Sequence, residues 1–197
     1  VYGKTTFENK GMTFDLKDEW QTYHFANIIK EKYGIDAHDT STDELASKLK
    51  DEQIKYDKDT LSIERGVDLL WKKIRKELNG PGFLIGIPVY LETLAKKSAE
   101  DNRVVERFQV ILAGSEVGKG FSELNDPVDQ AQRFGRQQEL RDAGDDEAQM
   151  ADHDYVEALE YGMPPAFGFG LSERLFSFLE GKTVREAQLF PLMRPRD

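Results

Sequence analysis

The chain has 197 residues and a formal net charge of −10, with 39% hydrophobic and 32% charged residues. That is enough for one sizeable domain, and it lacks the broad basic excess that grips nucleic acid by counterion release. The absence of cysteine excludes disulfides, thiolate nucleophiles and cysteine-ligated zinc, and no apolar run approaches the roughly 18 residues of a membrane span. No signal-peptide pattern opens the text, so the chain reads as a soluble, cytoplasmic domain. It begins at Val1 directly in strand-like text, as expected of a piece of a longer chain.

Residues 1–16 read as two short strands around a turn at "ENKG". From Asp18 to about Gly80 the text becomes helical and highly charged. "WQTYHFANIIKEKYG" puts Tyr23, Ala26, Ile28 and Ile29 on one helical face and ends at Gly34 as a C-cap. "STDELASKLKDE" starts a helix with Ser41 or Thr42 as N-cap. "TLSIERGVDLLWKKIRKELNG" spaces Ile63, Val67, Leu70, Ile74 and Leu78 at helical intervals and stops at Asn79-Gly80. Residues 18–80 are therefore expected to be a helical insertion subdomain with solvated charges.

From Phe83 the pattern returns to strand. "GFLIGIPVYL" is an apolar run, and "RVVERFQVILAGSEVGKGFSELND" holds two alternating runs across a turn at Ala113-Gly114, with Phe108, Val110 and Leu112 sharing a face. "DPVDQAQRFGRQQELRDAGDDEAQMADHDYVEALEYG" reads as helical throughout, with a break near Gly144, and the prolines of "MPP" end it. A glycine-bearing strand, a helix to about Glu180 and a closing helix start and strand in "VREAQLFPLMRP" complete the order.

Alternation along "SEVGKGFSELND" points Lys119, Phe121 and Glu123 the same way, with Glu116 nearby across a kink at Gly118. A carboxylate on an otherwise apolar face suits recognition of a cation. The plain alternative is a sheet edge whose Lys119 and Glu123 face water. In "AFGFGLSER", Gly168 and Gly170 clear one strand face for a planar ligand, and Arg174, one turn into the next helix, suits a phosphate. The same glycines also suit close helix–strand packing. The pattern is neither a P-loop nor a Rossmann fingerprint. His24, His38 and His153 are scattered and do not form metal-ligand spacing, and the acidic text near Gly144 lacks the calcium-loop order.

Taken together, "GFSELNDPVDQAQRF", "AGDDEAQMADHDYVEALEYGMPP", "GFGLSERL" and "LFPLMRP" resemble the C-terminal half of class II lysyl-tRNA synthetases. The resemblance is specific over about 88–195 and looser over 1–87. It implies an α+β fold, with the antiparallel β-sheet of the class II aminoacyl-tRNA synthetase core flanked by helices. It also implies that ATP and magnesium activate lysine as lysyl-adenylate, and that lysine passes to the 3′ end of tRNA(Lys). By the same resemblance Glu123 holds the lysine ε-ammonium, Phe121 lines the lysine chain, and Lys119 and Gly168 belong to the lysine site. Glu116 lies by the ATP phosphates and their magnesium, Gly170 beneath the adenine, and Arg174 is the motif 3 arginine on ATP. A homodimer is implied for the full-length protein.

The family's commoner pattern has Asn at the place of Lys119 and Glu at the place of Gln109, and motif 3 is here one residue shorter at Ser172. Motif 1, motif 2 and the anticodon-binding barrel are not in this text. The chain is thus expected to be about half of a catalytic domain, with weak activity alone. Two alternatives stay open: a paralogue that acts on another substrate, and an interaction fragment that keeps the fold without the chemistry.

Overall fold

The computed structural model describes residues 2–190, so most of the closing "LFPLMRP" text, with the strand expected there, falls outside the described residues. β1 (Thr6–Asn9) and β2 (Met12–Asp15) pair antiparallel with Asn9 opposite Met12. Lys10 and Gly11 both take positive φ, 52° and 75°, the combination a two-residue hairpin turn requires.

The helix expected from Trp20 begins later. Gln21–His24 form a strand, β3, and α1 runs Phe25–Tyr33. The strand's partner, β4 (Gly82–Ile85), pairs with it in parallel and is distant in sequence, so local periodicity cannot reveal it. α1 buries Phe25, Ile29 and Tyr33 and is capped by Gly34 at φ 73°. α2 (Thr42–Asp51) and α3 (Ile63–Ile74) start where the Ser41 and Ser62 side chains accept from the amides of Glu44 and Arg65, which satisfies donors that a helix start leaves unpaired. α3 buries Gly66, Val67, Leu70, Trp71 and Ile74. A Cβ on Gly66 would lie 2.9 Å from Leu45 Cδ1, so the glycine lets α2 and α3 approach.

One five-stranded sheet orders β3, β4, β5 (Arg107–Leu112), β6 (Ser115–Ser122) and β7 (Phe167–Leu171). All its pairings except β3 with β4 are antiparallel. The expected 18–80 subdomain is not all helical, and it shares its core. Ile29, Leu45, Leu49, Val67 and Leu70 lie in one buried cluster with Leu84, Ile87 and Ile111 of the sheet region. The charged faces turn outward, while the apolar stripes need an apolar surface and find it on the sheet.

The opposite sheet face packs Val110, Leu112 and Val117 against Phe7 and Phe14 of the hairpin and against α6 (Leu175–Leu179). α4 (Pro127–Asp142) and α5 (His153–Glu160) are separated by residues 143–152, a longer interruption than a break at Gly144. Gly144 there takes φ 99°, and the Asp145 side chain accepts from the Glu147 amide, an alternative to helical bonding. α7 (Val184–Ala187) opens with a capping box between Thr183 and Glu186.

α4 is pinned from within. Arg133, 8% exposed, donates to the carbonyls of Glu92 and Ala95 and pairs with Asp129 at 2.9 Å. Burial works against the Asp129 charge, but hydrogen bonds from Arg133 and Lys97 outweigh it and hold the carboxyl below its ordinary value.

Two stability outcomes follow. Leu70→Ala, at a fully buried site, should cost about 2–5 kcal/mol in chemical denaturation. Because the folded pKa of Asp129 is depressed, its stabilisation is present above the unfolded value of about 3.9 and is lost as pH falls through the lower folded one. Asp129→Asn should therefore destabilise the chain near neutral pH and flatten the acid limb of the unfolding curve.

Candidate active site

The site sits on the helix-facing side of β5, β6 and β7. Opposite residues in an antiparallel pair share a face, and the register sets Arg107 against Phe121, Gln109 against Lys119, Phe121 against Gly168 and Lys119 against Gly170. Strict alternation would place Glu116 on the other face, with Gly118 and Gly120. It does not, because the register shifts between Val110 and Ile111: Val110 faces Gly118 while Ile111 faces Glu116, which leaves Val117 as an extra residue. This bulge returns Glu116 to the face of Lys119, Phe121 and Glu123. The kink expected at Gly118 is this bulge.

Glu123 lies just beyond β6, its amide donating to the Ala166 carbonyl at 2.9 Å. Its carboxylate rests over Gly168: a Cβ there would lie 2.7 Å from Glu123 Oε1. A Cβ on Gly170 would meet nothing within 4 Å. The two glycines thus do different things. Gly168 seats the acid, and Gly170 leaves open floor beside Lys119. Phe121 packs against the helix-side core, and the Lys119 ammonium lies 5.8 Å from its ring centroid. Partial desolvation, with help from Arg107, pushes the Lys119 ammonium below its ordinary value, and Glu116 opposes them.

Around this face the neighbouring text is tied together. Asn125 accepts from Lys96 at 3.2 Å and donates to the Met163 carbonyl at 3.1 Å, which joins "ELND" to "YGMPP". Tyr155 of α5 is close enough to Glu123 that, after burial, the carboxylate further raises its hydroxyl pKa.

Glu116 is the most heavily bonded acid of the site. Oε1 accepts from Trp71 Nε1 at 3.2 Å and pairs with Arg75 Nη1 at 2.5 Å, and Oε2 accepts from Gln109 Nε2 at 2.7 Å. Trp71 stands in the last turn of α3 and Arg75 four residues on, at its C-cap. Their four-residue spacing is the signal in the sequence, at the edge of the buried stripe that Trp71 shares with Val67, Leu70 and Ile74. The three donors occupy both carboxylate oxygens, and among the described residues there is no group of three or more His, Asp or Glu side chains placed to hold a metal. Glu116 thus stands in this arrangement as the ion-pair partner of Arg75.

Arg174 stands at the N-cap of α6, before its first turn. Its amide donates to Ser172 Oγ at 3.2 Å, and its side chain lines a cavity of about 480 Å³ beside Glu116, under the hairpin turn. The structure thus brings Lys119, Phe121, Glu123, Gly168 and Gly170 onto one face with Glu116, while Arg174 shares only the lining of one cavity with Glu116. His24, His38 and His153 take no part in the site.

A family model described as "tRNA synthetases class II (D, K and N)" matches residues 2–194. The chain is 41% identical over 199 aligned residues to the lysine–tRNA ligase of Fervidobacterium nodosum, covering 99% of this chain and 38% of that protein. It is 40% identical to the lysine–tRNA ligase of Bacillus subtilis, covering 100% and 40%, and 39% identical to that of Thermotoga maritima, covering 98% and 39%. The chain spans about two fifths of the length of the curated relatives it matches.

The two glycines make a paired test. Gly168→Ala should displace the Glu123 carboxylate, read as a shift of its side-chain carbon resonance, while Gly170→Ala should leave that resonance in place.

Proposed function

Because the chain belongs to the class II tRNA synthetases (D, K and N), we propose that it is the lysine- and ATP-binding part of a lysine–tRNA ligase. The observation that carries this reading is Glu123, a carboxylate seated over Gly168 on the face that also presents Phe121. Among aspartate, lysine and asparagine side chains, only lysine brings a cation to that carboxylate. Aspartate meets like-charge repulsion, and asparagine offers no compensating charge. Phe121 lies along the path of the lysine methylenes.

The chemistry is positioning and charge neutralisation. The lysine carboxylate attacks the α-phosphorus of ATP, pyrophosphate leaves, and lysyl-adenylate remains. The terminal hydroxyl of tRNA(Lys) then attacks the lysyl carbonyl and AMP departs. Gly170 leaves space for the nucleotide beside Lys119, and Arg174 offers a fork for phosphate oxygens. Neither step forms a covalent bond to the protein, so binding geometry supplies the rate. The homodimer, the use of tRNA and a cytoplasmic location belong to this proposal for the whole protein. Among the described residues no helix is long and apolar enough to cross a membrane.

Calorimetric titration of the chain with lysine, asparagine and aspartate tests the reading. Lysine should bind alone, and Glu123→Gln should weaken it by about 10- to 100-fold, the worth of a charge-assisted hydrogen bond. Equal binding of the three amino acids, or lysine binding indifferent to Glu123→Gln, overturns it.

A further inference from the structure

A cavity of about 420 Å³ lies between the loop at His38, the segment from Val89 to Lys97 and one face of α4. Glu116, Glu123 and Arg174 do not line it. Its volume falls within the roughly 300–1,000 Å³ of small-molecule sites. Spacing sets the helical wall, because Asp129, Arg133, Arg136 and Gln137 recur at intervals of three and four residues. Tyr90 supplies an aromatic wall beside Val89 and Thr93. Its hydroxyl donates to the Ala37 carbonyl at 2.6 Å, which fastens the His38 loop to it.

The charged lining runs against the chain's net charge of −10: Lys97, Arg103, Arg133 and Arg136 face Glu92 and Asp129. Both carboxylates are already engaged. Glu92 pairs with Arg107, while Lys97 and Arg133 share Asp129 at 3.1 and 2.9 Å. Among the described residues the Lys97 ammonium donates only to Asp129, which leaves two of its three N–H groups for a ligand. Arg103 and Arg136 pair with Asp101 and Glu64, neither of which lines the cavity, and their side chains are 63% and 52% exposed. The Val89 amide donates to the Arg103 carbonyl at 2.9 Å, so the backbone sets Arg103 beside the apolar wall. Behind that wall Arg133 and Gln130 hold the carbonyls of Glu92, Thr93 and Ala95.

We propose that this cavity is a second ligand site, separate from the face of Glu123, and that it takes a small carboxylate with an aromatic body. A concave surface with an excess of one charge concentrates the opposite ion, and the guanidinium fork matches a planar carboxylate. Tyr90, Val89 and Thr93 receive the apolar body. Glu92 and Asp129 repel a second negative charge, so a monoanion is favoured over a phosphate. The site stands whether or not the chain binds lysine.

Titration of the 197-residue chain with 3-phenylpropionate, followed through the Val89 and Thr93 methyl resonances, tests this. Both should shift saturably, and 3-phenylpropanol at the same concentrations should leave them in place. Lys97→Gln and Arg103→Gln should each weaken binding about threefold or more, as expected for one charge-assisted contact at an accessible site. Arg103 is exposed, so its variant keeps the test open if Lys97→Gln unfolds the chain. Lys30→Gln, remote on α1, and Glu123→Gln should change nothing. Absence of a saturable shift, equal binding of the alcohol, or indifference to both cation substitutions overturns the proposal. So does tighter binding of inorganic phosphate, or loss of 3-phenylpropionate binding in Glu123→Gln, which would place the probe on the other face. Lysine binding through Glu123 is read separately, so failure of the ligase reading leaves this outcome untouched.

Discussion

The bulge in β6 is the constraint on which the site depends. A strand with strict alternation delivers its odd residues to one face and its even ones to the other. Lys119, Phe121 and Glu123 obey that rule, and Glu116 would then fall on the far side, against the hairpin and α6. One extra residue, Val117, reverses the phase and keeps its own side chain in the far core. The acid that meets Trp71, Arg75 and Gln109 and the acid that sits over Gly168 come to share a surface. Neither α3 nor β7 would have a common partner otherwise.

That surface is held between two cores. Helices α1, α2 and α3 bury one sheet face, and the hairpin with α6 buries the other. Such packing fixes the backbone on which the polar groups stand, so their geometry is set by apolar burial elsewhere. Gly120 shows the same economy on the far face, where a Cβ would lie 2.9 Å from both Phe108 and Phe167.

Charge is organised against the chain's overall sign. Among the described residues most acidic side chains lie outside the α-helices, largely in loops and turns, while Arg75, Lys119 and Arg174 gather by Glu116. Gln109 in the place of an acid makes this consistent. Its amide donates to Glu116, where a second carboxylate would have repelled it. The resemblance in the sequence supplied an acid beside magnesium. The geometry supplies the same acid tied to a guanidinium, an indole and an amide.

The text alone carries the element order from β5 to α6, the helix cap at Ser41, the hairpin at Lys10-Gly11, the common face of Lys119, Phe121 and Glu123, and the family. Those features are local, since they depend on alternation, capping residues and short motifs that a window of text contains. Long-range packing settles that Gln21–His24 is a strand, that the helices of residues 18–80 share the sheet's core, and that Glu116 is bonded by Trp71 and Arg75. Each of these rests on a partner tens of residues away or on a one-residue change of register, and no local pattern of hydrophobicity encodes either one.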